Sequence, residues 1–238
     1  MLRVKQIVSR RGQGGFGRIL DFAAVRAELA AGNRVLLLVR HAERPHIDHA
    51  DPTFGGGLPL TANGVAMCET FGRALAGASD DVQFVASPLR RTVMTAESIA
   101  RGMGLGGVSI PTDDVLGNGS QFYTDRLEVW RMFRDGRFFD RMEAYLRDGV
   151  LRGFNPIGPA AEEHEEYVLA RFTAQLGIFT THDVFIVAYL HAKGVKTDWC
   201  ADNWPRFLDA AAIVVEPSGR RRPALLRAGL SDRAVGVA

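Results

Sequence analysis

Arg40 and His41 stand where an apolar run, Val35 to Val39, gives way to charge within a single residue. A neutral imidazole is a nucleophile, and a guanidinium is a planar fork whose donors fit the oxygens of a phosphate. Taken by themselves, the two residues describe a strand ending in a solvated basic turn equally well. Their setting favours chemistry. An unbroken apolar run of that length reads as a strand buried on both faces of a parallel sheet. Open α/β sheets bind their ligands at the carboxyl ends of such strands.

Two more stretches strengthen the reading. Arg40-His41-Ala42-Glu43-Arg44 resembles the Arg-His-Gly signature of the histidine phosphatase superfamily, with Ala42 at the usual glycine. Ser87-Pro88-Leu89-Arg90-Arg91 resembles that family's second arginine motif, and Thr181-His182-Asp183 its second histidine. Leu60 and Thr61 with Gly64 resemble the segment that follows the first motif. The resemblance runs from Val35 to Val215 and is weakest in the middle.

The resemblance implies an α/β fold, a three-layer α/β/α sandwich whose mostly parallel central sheet carries helices on both faces. It also implies hydrolysis of phosphate monoesters through a phosphohistidine on His41, with no metal and no other cofactor. Such a reaction needs an in-line nucleophile, positive charge around the equatorial oxygens and an acid for the leaving oxygen. Arg40, Arg91 and His182 supply the charge. Arg91 occupies the ligand position of the Ser-Pro-x-x-Arg pattern and Arg90 faces solvent; a structural salt bridge is the competing role for Arg91. The acid is where the chain departs from a simple match. The phosphoglycerate-mutase-like branch uses a glutamate after its third strand, and Asp113 to Ser120 contains none. The acid phosphatase branch uses an aspartate directly after the second histidine, here Asp183, and an arginine three residues after the first, here Arg44. Its length and long insertions do not match this compact chain. Asp183 is the first candidate, Asp113 or Asp114 the second and Glu43 the third, and Asp183 is at the same time a fitting N-cap for its helix. Arg44, Glu43, Asp113 and Asp114 are expected at the substrate.

Several elements must position these residues. Asp21 caps a helix with Phe22, Val25 and Leu29 on one face, ending near Gly32. Thr61 caps a second helix with Val65, Cys68, Phe71 and Leu75 as its core stripe, so Cys68 reads as packing. Val82 to Ala86 is a strand, and Ser87-Pro88 turns into a helix that Gly104 ends, which places Arg91 near a positive helix terminus. A third strand is expected over Val108 to Ile110, one or two helices over Arg126 to Gly149, a loop from Gly149 to Pro159, and a helix over Ala160 to Leu176 with an acidic first turn at Glu162 and Glu163. Gly177 to Thr181 reads as a strand. Asp183 to Ala192 scores as strand by propensity, but the resemblance places a buried helix there. Strands over Ala211 to Val215 and around Pro223 to Arg227 complete the pattern. Residues 1–34 form an N-terminal extension whose helix packs on the core, and 35–238 one phosphatase-like domain with 117–159 a helical excursion over the site.

Composition narrows the alternatives. The formal net charge of +2 is too small to imply nucleic acid or a membrane surface as partner. The only basic run, Arg220 to Arg222, reads as a solvated turn. Cys68 and Cys200 suggest neither a disulfide framework nor a metal site, so a reducing cytoplasm is the expected compartment. Gly12 to Gly17 fits a Gly-x-Gly-x-x-Gly template, yet Ser9, Arg10 and Arg11 separate it from the strand expected over Val4 to Val8, and no acidic ribose partner follows at the right distance. A flexible loop is the better reading. His41, His46 and His49 with Asp48 and Asp51 do not have metal-ligand spacing. The expected partner is a phosphorylated small molecule or phosphopeptide. Two competing readings keep the pocket: phosphoryl transfer between hydroxyls, as in a mutase, and a binding protein without turnover.

Overall fold

The computed structural model describes residues 19–48, 51, 53 and 55–230. The glycine-rich stretch 12–17, the strand expected over 4–8 and His49 lie outside them. Six strands, β1 (Ile19–Leu20), β2 (Arg34–Arg40), β3 (Val82–Ala86), β4 (Leu176–Thr181), β5 (Ala210–Val215) and β6 (Arg221–Leu226), form one sheet in the order β1-β6-β5-β2-β4-β3. The sheet is mixed: β5 alone runs against the other strands, pairing antiparallel with both β2 and β6.

The two faces follow from strand alternation. Leu36 and Leu38 of β2 join Phe179, Ile213 and Leu225 in a core on one face. Val35, Leu37 and Val39 join Ile178, Ala212 and Leu226 in a second core on the other. The second core is covered by α1 (Phe22–Ala30), α2 (Ala62–Leu75) and α3 (Arg90–Gly102). The first is covered by α4 (Arg126–Phe133), α5 (Phe138–Asp148), α6 (Ile157–Arg171) and α7 (Asp183–Ala192). This is the expected three-layer sandwich. Burial of one Leu or Val side chain contributes about 1.5–3 kcal/mol, so a five-residue apolar strand facing both cores is a large share of the stability. In α1, Asp21 caps the helix by accepting the Ala24 N–H at 2.8 Å. The Phe22 ring stands edge-on to Phe71 of α2 at 4.9 Å.

Several elements differ from expectation. No strand forms over 108–110; Thr112 makes a single parallel bridge to Ala86 at the open edge of β3, and a short 3-10 turn, Asp114–Leu116, follows. The sixth helix starts at Ile157, not Ala160, because Pro159 in its first turn needs no N–H partner there. Glu162 and Glu163 therefore lie beyond the first turn. That helix stops at Arg171 because Phe172 turns extended (ψ 105°), which releases Leu176 to start β4. The β-prone run after Asp183 is helical, with every residue from Val184 to Leu190 buried. Burial all round decides it: this helix lies between the sheet and its neighbouring helices, and tertiary packing overrides propensity. Of the basic run, Arg221 and Arg222 are no solvated turn. Arg221 pairs with Glu165 and Glu166, and Arg222 with Glu28 at 2.7 Å and Glu216 at 2.7 Å.

One contact anchors the loop that leaves β2. The Thr61 N–H donates to the Glu43 carbonyl at 3.0 Å and the Thr61 hydroxyl to the Glu43 carboxylate at 2.8 Å. At Gly64, an added Cβ would fall 2.3 Å from the Glu43 carbonyl oxygen. Only glycine lets the two backbones meet. Gly64→Ala is expected to lower stability by about 1–3 kcal/mol, the usual cost of overpacking; an unchanged urea midpoint would show that this approach does not constrain the loop.

Candidate active site

Parallel pairing of β2 with β4 sets Arg40 beside Thr181. The next residue of each chain segment is a histidine. The His41 N–H donates to the Thr181 carbonyl at 3.0 Å, and the His41 and His182 rings stand 5.5 Å apart at 64°. On the far side of β4, the Ser87 N–H donates to Thr180 O at 3.0 Å, which starts α3 and places Arg91 in its first turn. On the far side of β2, Arg40 exchanges backbone hydrogen bonds with Asp209 and Leu208 at 2.9 and 3.2 Å, which brings in the loop 204–209. Thr95 of α3 accepts from Ala42 N at 3.1 Å and so fixes the turn just after His41.

The His41 Nδ1 lies 2.9 Å from the Ala42 carbonyl. A carbonyl only accepts, so Nδ1 carries the proton and Nε2 presents its lone pair. Arg40 is buried, with its Nη2 3.0 Å from Asp183 Oδ2, its Nη1 donating to Pro205 O, and its plane 4.6 Å from the Phe207 ring centroid. Asp183 also accepts from Trp204 Nε1 at 3.0 Å and from its own helix at Val184 N, also 3.0 Å. The Arg91 Nη1 donates to Gly55 O at 2.7 Å. The Nε atoms of Arg40, Arg44 and Arg91 are buried and bond to no protein acceptor among the described residues. Buried donors without acceptors are costly, and these three belong to guanidiniums whose charges all reach the imidazoles of His41 and His182.

Burial, joined by the charges of Arg91, Arg40 and Arg44, holds both imidazoles well below their ordinary range, and His182 adds to the effect on His41. Burial also lowers the guanidiniums of Arg44 and Arg91 to about 10. In Arg40 burial is the largest effect, opposed by Asp183 and Asp209. At neutral pH the pocket therefore holds two neutral imidazoles. The three guanidiniums outnumber the nearby carboxylates, Asp183 and Asp209, the second of which is also paired with Arg227, so positive charge is in excess.

The structure joins Arg40, His41, Arg44, Arg91, His182 and Asp183. It does not join the other candidates to the imidazoles by any bond. Glu43 is bound to Thr61 and Asn63 of α2 at 2.8 and 3.1 Å. Asp113 accepts from Val115 N at 3.0 Å, Tyr167 at 3.1 Å and Arg171 at 3.1 Å. Asp114 is exposed. No group of three or more His, Cys, Asp or Glu suited to a metal occurs among the described residues. Cys68 is core, its thiol pushed up to about 12 by burial. Among the described residues no helix is long and apolar enough to cross a membrane.

The sequence reads Trp199 to Phe207 as a loop that sets specificity, and it does not show that this loop seats Arg40. Pro205 supplies a carbonyl and Phe207 a ring. Leu208, buried with φ 69°, bends the chain at a conformational cost of about 1–2 kcal/mol. Asp209 holds the bend by accepting from Arg206 N at 2.9 Å, Ala228 N at 2.9 Å and Arg227 Nη1 at 2.6 Å. Nothing in the spacing of these residues announces that role.

Residues 36–117 match the family described as the histidine phosphatase superfamily, branch 1. Asp183 and His182 lie beyond the matched residues. Among solved structures, YhfR of Bacillus stearothermophilus is 18% identical, with 83% of this chain and 100% of that one covered and a TM-score of 0.55. A mycobacterial glucosyl-3-phosphoglycerate phosphatase in complex with VO3 is 18% identical, covering 82% and 99%, TM-score 0.53. A phosphoglycerate mutase from Bacillus anthracis str. Sterne is 12% identical, covering 81% and 93%, TM-score 0.55. These likenesses show the fold. No curated protein matches the chain.

The depressed imidazoles tie stability to pH. His164, buried beside Phe122 with Nδ1 3.0 Å from Gln121, is lowered to about 4 by burial, in the same direction as His41 and His182. Below about pH 6.5 the unfolded chain protonates these side chains before the folded one does. Stability is thus full above that value and falls on acidification, by about 1.4 kcal/mol per pH unit for each imidazole still neutral in the fold. For His164 the loss levels off near its own value of about 4. Urea midpoints should hold from pH 7.5 to about 6.5 and fall from there to pH 5; a profile flat throughout would contradict neutral buried imidazoles.

Proposed function

We propose that this chain hydrolyses phosphate monoesters through a phosphohistidine on His41. One observation carries the reading: His41 presents a bare Nε2 among the charges of Arg40, Arg44 and Arg91, whose buried Nε atoms have no protein acceptor among the described residues. In this reaction Nε2 attacks phosphorus, the bond to the leaving oxygen breaks, and that oxygen takes a proton from Asp183. Water then attacks the phosphohistidine, returns a proton to Asp183 and releases inorganic phosphate. Arg40, Arg91 and His182 hold the equatorial oxygens, and Arg44 adds charge at the rim. Each charge-assisted contact is worth about 1.5–3 kcal/mol, and their value to catalysis lies in being fixed beforehand. The arriving dianion competes with Asp183 for Arg40, and the carboxylate released from that pair takes up a proton from solvent, which it passes to the leaving oxygen. No step requires a metal ion.

The substrate class is a phosphorylated small molecule or phosphopeptide, and specificity resides in the loops around the pocket. Two of the fold's relatives are a phosphatase of a phosphorylated sugar acid and a phosphoglycerate mutase, so phosphoryl transfer between hydroxyls is the second reading. The absence of a glutamate in 113–120 weighs against it. Isotopic water separates the two, because hydrolysis places the label in inorganic phosphate and transfer does not.

His41→Ala should abolish hydrolysis of an aryl phosphate while leaving the urea midpoint close to wild type. Undiminished activity in that variant would remove His41 from the reaction. Arg91→Ala should lower kcat/KM by about 10- to 100-fold, the cost of one charge-assisted contact. Activity should persist in the presence of a chelator.

A further inference from the structure

Behind His182 lies a pair of hydroxyls that the reaction as written does not use. The His182 Nε2 is 3.1 Å from Ser87 Oγ, and Ser87 Oγ is 2.8 Å from Thr92 Oγ1. Thr92 Oγ1 is in turn 2.6 Å from Leu89 O and 2.8 Å from Ser87 O. Ser87 and Thr92 are both fully buried. Neither carbonyl has a proton to give, so the single Thr92 proton points at the carbonyls and Thr92 must accept from Ser87. The single Ser87 proton is then spent. Ser87 Oγ can only accept from His182, which puts the imidazole proton on Nε2.

The same count gives the opposite tautomer at the other ring. His41 carries its proton on Nδ1, because its partner there is the Ala42 carbonyl. In the neutral pair, then, His41 Nε2 and His182 Nδ1 are the bare nitrogens. A bare nitrogen suits a nucleophile, but it repels an oxyanion. For His182 to hold a phosphoryl oxygen, Nδ1 must first gain a proton.

We propose that Ser87 and Thr92 are positioning residues that hold free His182 as the Nε2–H tautomer, so that binding of a dianionic oxyanion takes up one proton at His182 Nδ1. The proton comes from solvent and leaves with the released anion. The groups facing this ring fit the switch. Arg91 of α3, Arg40 of β2 and Arg44 of the following loop disfavour a charged imidazole in the free protein, in the same direction as burial. His41 and Phe185 stand 5.5 and 6.1 Å away and bring no charge, and Asp183 next in sequence is engaged by Arg40 at 3.0 Å. An arriving dianion offsets the three guanidiniums and reverses the balance. The proposal rests on the pocket binding a phosphoryl oxyanion; the tautomer of the free protein does not.

Nitrogen-15 NMR of the histidine-labelled full chain tests it, with inorganic sulfate as a probe that stays dianionic across the working pH range. Free wild type should show His182 protonated on Nε2 alone, and the sulfate complex should show both nitrogens protonated. Sulfate affinity should fall about tenfold per pH unit wherever the free ring is neutral, the signature of one proton taken up. Ser87→Ala should redistribute the neutral ring toward Nδ1–H and flatten that slope. Thr92→Val should do the same in weaker form, and Thr92→Ser should restore the wild-type signals. A free wild-type ring protonated on Nδ1, or a tautomer unchanged in Ser87→Ala, would overturn the proposal. If the tautomer and its sulfate response are as stated but no monoester is turned over, the hydrolytic reading fails and this one stands.

Discussion

The site depends on one backbone register, the parallel pairing of β2 with β4. Two segments about 140 residues apart in sequence are locked so that Arg40 lies opposite Thr181, and the hydrogen bond from His41 N to Thr181 O extends the ladder past the end of β2. The register is strongly specified because both faces of β2 are buried. A slip of one residue would exchange the two cores and send Leu36 and Leu38 to the wrong side. The same register that satisfies the apolar side chains therefore sets the distance between the imidazoles. The geometry of the paired histidines and the packing of the core are here a single constraint.

The second constraint is electrostatic. Arg40 is enclosed by Asp183, the Pro205 carbonyl and the Phe207 face, yet its Nε and those of Arg44 and Arg91 keep unused donors. Taking such groups out of water costs several kcal/mol each, and the fold offsets that through the cores on either side of the sheet. The return is preorganisation: the guanidiniums are held in place before an anion arrives. Neutral imidazoles are a direct result of the same crowding. What keeps His41 deprotonated is burial beside three cations.

The protein surrounds these two constraints with rigid supports. Thr61, Gly64 and Glu43 clamp the loop leaving β2, and Thr95 pins Ala42. Asp209 and Arg227 hold the strained turn at Leu208. Each support joins a strand's carboxyl end to a helix or turn on its flank. The pocket is thereby built from segments that could not hold their conformations alone.

Sequence alone determined the strand Val35 to Val39, the charged step at Arg40 and His41, the Ser-Pro-x-x-Arg turn and the second histidine with its aspartate. These are legible because burial and phosphate chemistry demand particular residue types at short, fixed spacings. Tertiary structure decided the rest. Arg91 lies beside the imidazoles and Asp183 is the carboxylate next to Arg40, whereas Asp113 is committed to Arg171 and Tyr167; the sequence offers all three as charged residues just after apolar segments, and only their neighbours tell them apart. The run 183–192 reads as strand by propensity and is a helix because it is enclosed on all sides. The loop 204–209, with Pro205 and Phe207 against Arg40 and Trp204 against Asp183, carries no periodicity or motif. Its hold on Arg40 arises from contacts between residues more than 160 positions apart, which pattern and propensity, being local, do not encode.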